Sequence, residues 1–532
     1  MPREIALGIS SRGPAGILAP DESGSITFPK TIPSESVTHT HRVLTVNGSD
    51  ENHDWLGSKE DLRPDAIQPD AWDVIFDEFI RRFASSYAVY ERSLAEAATY
   101  LSSIGRPTSN VSELIGFLFA QVNNEHPGGV LAAAIDASTT TPGLPLSFGR
   151  VYSQAIASRL RVGAFGYGWS HPFELSLRTE TLASNRVNVV VSSPLGDRLF
   201  RKNFEYDPLD LRSGPEFFSG DGDGGSLRGD PGLGSMRIVE PDGTTLEFNE
   251  AGRLVTVRDL VSRIELSYEG DQLIGLTHVD SAFAAGTETS ITMQYNGQGR
   301  IQNLTDDIGR VTSYEYDTSG EHLVRVTNNL GEDTYTYHED SNPLVNHVLT
   351  SVQAETGNGV DYSYDDLGRL EQMLVRNSTI EINVEYGVGG EVALVNSSGD
   401  RETLSFNEFG GIARRVDPLG NIHQRYFDVN DNPDFDVLPG NLVVGYSFQD
   451  DGFLRSLTNA NGENLRFDPV LVQPGIRNIS GRGQRLRQVS DENDNPTRFT
   501  YNRFGGLTVQ DHADGTSSQL SYDATNDLVQ ST

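Results

Sequence analysis

The sequence predicts a mainly β protein: one long, coiled sheet preceded by a small α-helical hairpin. Three observations lead there. An aromatic residue, a polar pair and a Gly-Arg or Gly-Gly step return along roughly the last 290 residues. Short alternating β-prone runs fill the intervals, and one aromatic-rich stripe at helical spacing lies ahead of them.

The repeats are read first, because they decide the architecture. Clear copies are FNEAGRLVTV from Phe248, YNGQGRIQNL from Tyr295, YDDLGRLEQM from Tyr364, FNEFGGIARR from Phe406 and YNRFGGLTVQ from Tyr501. Fainter ones start at Tyr268, Tyr316, Tyr337, Tyr426, Phe448 and Tyr522, and anchors lie mostly 20 to 22 residues apart. A unit this short cannot bury its own core, so a sustained period means a stacked array. Runs such as TSYEY, DYSYD and RLEQMLV alternate side chains between the two faces of a strand. Gly309, Gly331, Gly368, Gly420 and Gly505 fall at turns where positive φ is expected. Stacked aromatic anchors add about 0.5–1.5 kcal/mol each beyond area burial. The array is assigned to residues 238–532, and only its ends expose free edges.

Ahead of it, residues 1–64 are rich in Gly, Pro, Ser and Thr and read as an extended lead-in. Its His39 and His41 share one strand face, but two ligands without a third do not make a metal site. Residues 65–126 read as the helical hairpin. Trp72, Phe76, Phe79, Phe83, Tyr87, Tyr90, Leu94, Ala97 and Leu101 recur at steps of three and four, as one stripe on one helix. Pro69 and Asp70 suit its first turn, and Gly105 and Pro107 stop it. A second helix starts at Asn110 with Glu113 as capping partner, and carries Leu114, Phe117, Leu118 and Val122 on its apolar face. Residues 127–237 read as a β module with a mobile Gly-rich loop from Phe217 to Ser235.

The tyrosine-headed units resemble the YD repeats of the rearrangement-hotspot (RHS) family, which includes teneurins and the C components of insecticidal Tc toxins. The phrase FGRVYS followed by GAFGYGWS is similar to the module that opens RHS arrays. Here Arg150, Tyr152, Ser153, Gly163, Phe165, Gly166, Gly168 and Trp169 carry it. The resemblance covers roughly Thr141 to the C-terminus. It implies a YD-repeat β-spiral, a hollow shell or partial barrel, of which about fourteen repeats make only a part.

Composition narrows the chemistry. At 532 residues the chain exceeds one ordinary core. Zero cysteines exclude disulfides, thiol catalysis and Cys-ligated metals together. A net charge of −34, with basic residues scattered among acids, excludes nucleic acid as a partner and suits a solvated surface. No apolar run is long enough for a transmembrane segment, and MPREIALGIS lacks the form of a secretory signal. The chain stops within a repeat, so both ends read as cut from a longer protein.

No G-x-S-x-G elbow, H-E-x-x-H, P-loop or Rossmann fingerprint is present. His278, His322, His338 and His423 stand apart from recognisable Ser or Asp partners. Asp306–Asp307, Asp365–Asp366 and Asp450–Asp451 imitate a glycosidase pair but lie at repeat turns, where Asp caps backbone amides. DGDGG from Asp221 lacks the closing Glu of a calcium loop, having Gly232 there. DVNDNP from Asp428 and DENDNP from Asp491 read as turns with Asp431 and Asp494 in the glycine position. Sequons occur at Asn47, Asn110, Asn303, Asn377, Asn396 and Asn478. No catalytic, cofactor-binding or metal-ligating set is expected, and no cofactor.

The expected function is a non-enzymatic shell or scaffold of a secreted or cell-surface protein. The resemblance implies that it encloses or presents a C-terminal effector, or meets a cell-surface protein or glycan. An adhesive or carbohydrate-binding surface would require outward rows of Tyr and Phe. A polysaccharide-processing enzyme would require two carboxyl groups about 5 to 9 Å apart in a deep groove.

Overall fold

A computed structural model describes most of the chain from Leu56 onward; residues 1–55 and several short segments, the longest 203–215, 281–287 and 472–483, lie outside it. His39 and His41 fall among those residues.

Among the described residues three helices, not two, precede the strands: α1 (Pro69–Phe83), α2 (Tyr87–Ser103) and α3 (Val111–Val122). The single stripe expected from Trp72 to Leu101 is broken at Ser85–Ser86. Ser86 turns extended and its side chain accepts from Val89 N at 3.3 Å, starting a new helix. Serine hydroxyls offer the backbone this local alternative to a continuing helix. The break lets both α1 and α2 pack on α3, with Phe79 stacked on Phe119 at 4.3 Å and Tyr100 on Phe117 at 5.6 Å. The start of α3 agrees with expectation: Asn110 Oδ1 accepts from Ser112 N, and its amide donates to Glu113.

A compact plug follows. Its strands β1 (Val130–Thr139) and β2 (Leu146–Ser153) pair antiparallel, and every residue of β2 is buried. A short helix α4 (Ile156–Arg159) leads to β3 (Val162–Gly163), β4 (Gly166–Tyr167) and β5 (Trp169–Ser170), the last paired with β2.

The wall begins at β6 (Ser176–Thr181), well before the expected start at 238, and continues as an antiparallel meander to Leu528–Ser531. Residues 176–237 lack the repeat motif but supply the same edge-to-edge pairing, so motif and sheet do not start together. The sheet's first edge curls back onto it at the bridge Ser176↔Arg253, where Leu177 N donates to Gly252 O at 2.7 Å. Gly252 has φ +73°, and a Cβ there would lie 1.9 Å from the Leu177 carbonyl oxygen. Only glycine permits that approach.

Within the array the aromatic anchor does two jobs. It sits at a β-bulge opposite the aliphatic residue of its own Gly-Arg step, as in Tyr295↔Ile301 and Tyr364↔Leu370. Its hydroxyl then donates to the carbonyl of the corresponding aliphatic residue one unit earlier. Tyr295 reaches Leu273 O at 2.9 Å, Tyr316 reaches Ile301 O at 2.6 Å, and Tyr337 reaches Leu323 O at 2.7 Å. Tyr268, Tyr364, Tyr386, Tyr501 and Tyr522 repeat the tie. One anchor is corrected: the bulge near 426 lies between Tyr426 and Phe427, so Phe427 is the anchor there.

An acidic residue closes the turns, both directly after an anchor, as Asp365 after Tyr364, and between anchors, as Asp306 between Tyr295 and Tyr316. Asp306 Oδ1 accepts from Ile308 N and Arg310 N while Oδ2 accepts from Arg310 Nε; Asp365 repeats this with Leu367 and Arg369. Gly309, Gly331, Gly368 and Gly420 take positive φ as expected, while Gly505 is outside the described residues.

One apolar core joins the plug to the wall as far as Phe406, and a second joins the helices to it around Leu344, Ala413 and Phe427. Among the described residues, fully buried apolar side chains end at Ala413.

Candidate functional site: the plug and the wall it seals

Alternation puts a second tyrosine two residues before some anchors on the same face. Tyr314 and Tyr362 use it to reach the plug, donating to Asp136 Oδ2 at 2.9 Å and to Leu131 O at 2.8 Å. Between them, Arg150 is fully buried and its guanidinium meets the Asp136 carboxylate and the Tyr335 hydroxyl. Burial works against the Arg150 charge, but Asp136 and the tyrosine oxygens outweigh it and hold its pKa well above the ordinary value. The guanidinium also lies 5.4 Å from the Trp169 ring. Arg150 and Trp169, both belonging to the opening phrase, are therefore parts of one seal.

The other phrase residues lie beside it. The Trp169 indole donates to the Tyr337 hydroxyl at 2.7 Å, and the Tyr152 hydroxyl donates to His347 O. Buried Arg159 donates to the carbonyls of Gln154 and Gly368 at 3.1 and 3.3 Å, and to that of Leu344. Phe165 is buried against Tyr314, 5.1 Å between ring centroids. Ala164 O accepts from Ile301 N, and Tyr167 N donates to Glu321 O, so plug backbone joins wall backbone directly.

The helices dock farther along. Tyr100 OH donates to Phe406 O at 3.0 Å, Arg106 pairs with Glu408, and Gln424 Nε2 donates to Ile104 O at 2.7 Å. Gly389 lets the wall approach: a Cβ there would lie 2.4 Å from the Tyr100 ring. Buried His126 stacks on Phe406 at 4.8 Å, and burial pushes its pKa down to about 4.

The histidines expected to lack acidic partners acquire them in three dimensions. His338 lies 3.3 Å from Asp340, and His423 lies 3.3 Å from Asp436. His322 Nδ1 is 3.0 Å from Asp317 Oδ2 and 3.9 Å from Glu339 Oε1, while its Nε2 is 2.8 Å from His347 Nδ1. Sequence reading missed this group; the anchor-following Asp five residues before a His was its only local sign.

The paired carboxylates remain turn groups: Asp306 and Asp365 cap backbone amides, whereas Asp307 accepts from Thr139. Asp450 and Asp451 are outside the described residues, as is DGDGG except its last glycine. In DENDNP, Asp491 caps Asn493 N and Asn495 N, and Asp494 holds φ +60° in the glycine position. Arg82, His126, Arg369, Tyr386 and Glu391 help line a cavity of about 40 Å³, room for a water or two, with Glu391 its sole carboxylate. No helix among the described residues is long and apolar enough to cross a membrane.

Fold and seal together define a repeat scaffold, a β-wall zipped by its own tyrosines around a plug. Residues 126–199 match the family model "Domain of unknown function (DUF6531)". The chain is 25% identical over 421 residues to the probable deoxyribonuclease RhsB of Dickeya dadantii (strain 3937), covering 73% of this chain and 27% of that protein. Together these matches support an RHS-family protein. The chain thus spans about a quarter of the curated relative it matches. Two solved assemblies are also similar. The Photorhabdus luminescens Tc holotoxin pore aligns over 87% of this chain and 27% of that one, at TM-score 0.34 and 10% identity. The TcdB2-TccC3-Cdc42 complex aligns over 93% and 29%, at TM-score 0.35 and 10% identity. Overlays that loose leave the fold resting on the chain's own strand pairing.

Proposed function

We propose that the chain is a non-enzymatic segment of a secreted or surface-delivered shell that encloses or presents a C-terminal effector lying outside these residues. The observation that carries this is the uneven cover of the anchor-bearing face. Plug and helices cover it as far as Phe427; beyond, described strands such as Asn464–Leu471, Pro496–Tyr501 and Ser517–Tyr522 extend the wall with no covering layer among the described residues. A wall that continues past its own core suits a container whose remaining contents come from elsewhere. The deoxyribonuclease activity in the relative's name belongs to a protein of which this chain spans 27%, and a chain of net charge −34 is poorly suited to bind DNA phosphates.

An adhesive surface fits less well, since the anchors spend their hydroxyls on the wall's own carbonyls. The test uses the full-length gene product with a protease site engineered into its C-terminal domain. Enclosure predicts slow cleavage that becomes fast once urea opens the wall. Fast cleavage in the native protein overturns enclosure and leaves presentation.

A further inference from the structure

We propose that Asp317, His322 and Glu339 form a binding site for one divalent transition-metal ion of zinc type. Their ligand atoms all lie within 4.8 Å of one another. Zinc bound at about 2.1 Å by tetrahedral ligands sets them about 3.4 Å apart. The observed 3.0 Å from His322 Nδ1 to Asp317 Oδ2 and 3.9 Å to Glu339 Oε1 straddle that value. An imidazole nitrogen between two carboxylates selects zinc, cobalt or nickel over calcium and magnesium, which prefer all-oxygen shells.

The surroundings orient the ligands. Asp317 Oδ1 accepts from the amides of Glu321 and His322 at 2.9 and 3.2 Å, so the turn stays capped while Oδ2 faces the site. Ser319 Oγ, 2.8 Å away, also bonds Oδ2. His322 Nε2 lies 2.8 Å from His347 Nδ1, and His347 Nε2 lies 2.9 Å from the Asn346 amide nitrogen. A metal-bound imidazole characteristically donates its other N–H to such a partner. With a metal on Nδ1, the His322 ring carries its proton on Nε2 and donates it to His347 Nδ1. The Tyr167 ring of the plug stacks on His347 at 3.7 Å and holds that partner in place. His322 is buried, but the Glu339 side chain is 73% exposed, so an ion can enter from solvent and keep a water as fourth ligand. The bound ion would clip the turn at 317–322 to the segment after the next anchor, beside the plug.

The test is calorimetric titration of the untagged, chelator-treated chain with Zn²⁺, and with Co²⁺ followed by visible absorption. The expected result is one site per chain with a tetrahedral Co²⁺ spectrum, unaffected by millimolar Ca²⁺ or Mg²⁺. His322→Asn should abolish it, and Glu339→Gln should weaken it tenfold or more. Because Glu339 is exposed, that variant tests the site even if His322→Asn does not fold. Absence of the site, or Zn²⁺ binding unchanged in Glu339→Gln, overturns the proposal and leaves these residues a metal-free hydrogen-bond chain.

Discussion

Tyr337→Phe should loosen the wall locally far more than the same change at Tyr522. The Tyr337 hydroxyl donates to Leu323 O and accepts from the Trp169 indole, both at 2.7 Å. Removing it forfeits one hydrogen bond, worth about 1 kcal/mol, and orphans a buried indole N–H, which costs about 1–3 kcal/mol. Trp169 is only 1% exposed, so water cannot readily take the vacated position. The expected loss is about 2–4 kcal/mol. Tyr522 makes a single tie, to Leu507 O, in a strand with no fully buried residue described, and its loss should cost about 1 kcal/mol or less. A long array opens piecewise, so a single global unfolding free energy is the wrong measure. Native-state hydrogen exchange of the strands Leu323–Asn328 and Gly331–Tyr337 is the right one. Exchange limited by opening equilibria should accelerate about 30- to 700-fold in Tyr337→Phe, at a tenfold change per about 1.4 kcal/mol. Equal acceleration at the two sites would refute the reasoning that the plug makes the central ties cooperative.

Three further outcomes are expected. Asp136→Asn leaves the buried Arg150 charge with only Asp333, 3.9 Å away, as counter-charge and should cost up to about 3–5 kcal/mol, visible as a lowered melting temperature, whereas replacing both residues by apolar ones of similar volume should cost less. His126 has a folded pKa lowered to about 4, so the unfolded chain takes up its proton first; its contribution is intact above about pH 6.5 and declines as pH falls toward 4. His126→Phe should flatten that part of the stability–pH profile. Gly389→Ala combines a positive φ of +62° with a Cβ 2.4 Å from the Tyr100 ring, and should release the helices from the wall, read as faster limited proteolysis near Tyr87–Ser103.

Much of the architecture was legible in the chain because it is written in local rules. The period required stacking, Asp306, Asp365 and Asp417 required capped turns, and Gly309, Gly368 and Gly420 required positive φ; the turn features depend on residues at most a few positions apart. The helix break at Ser86 was less visible, since the stripe from Trp72 to Leu101 keeps its spacing across it, and only packing of both α1 and α2 on α3 favours two helices. Pairing also hid the wall's true beginning, because residues 176–237 join the sheet without carrying its motif.

By itself the sequence determined a mainly β array of aromatic-anchored hairpins, because alternation, turn chemistry and repetition act over short distances. Tertiary structure alone decided where the anchor hydroxyls go, which tyrosines meet Asp136 and Arg150, and that Asp317, His322 and Glu339 converge. Those contacts depend on how the sheet curls and where the plug sits on it, and many join segments more than a hundred residues apart, as Tyr314 joins Asp136. Residues so distant along the chain share no local pattern from which their meeting can be read.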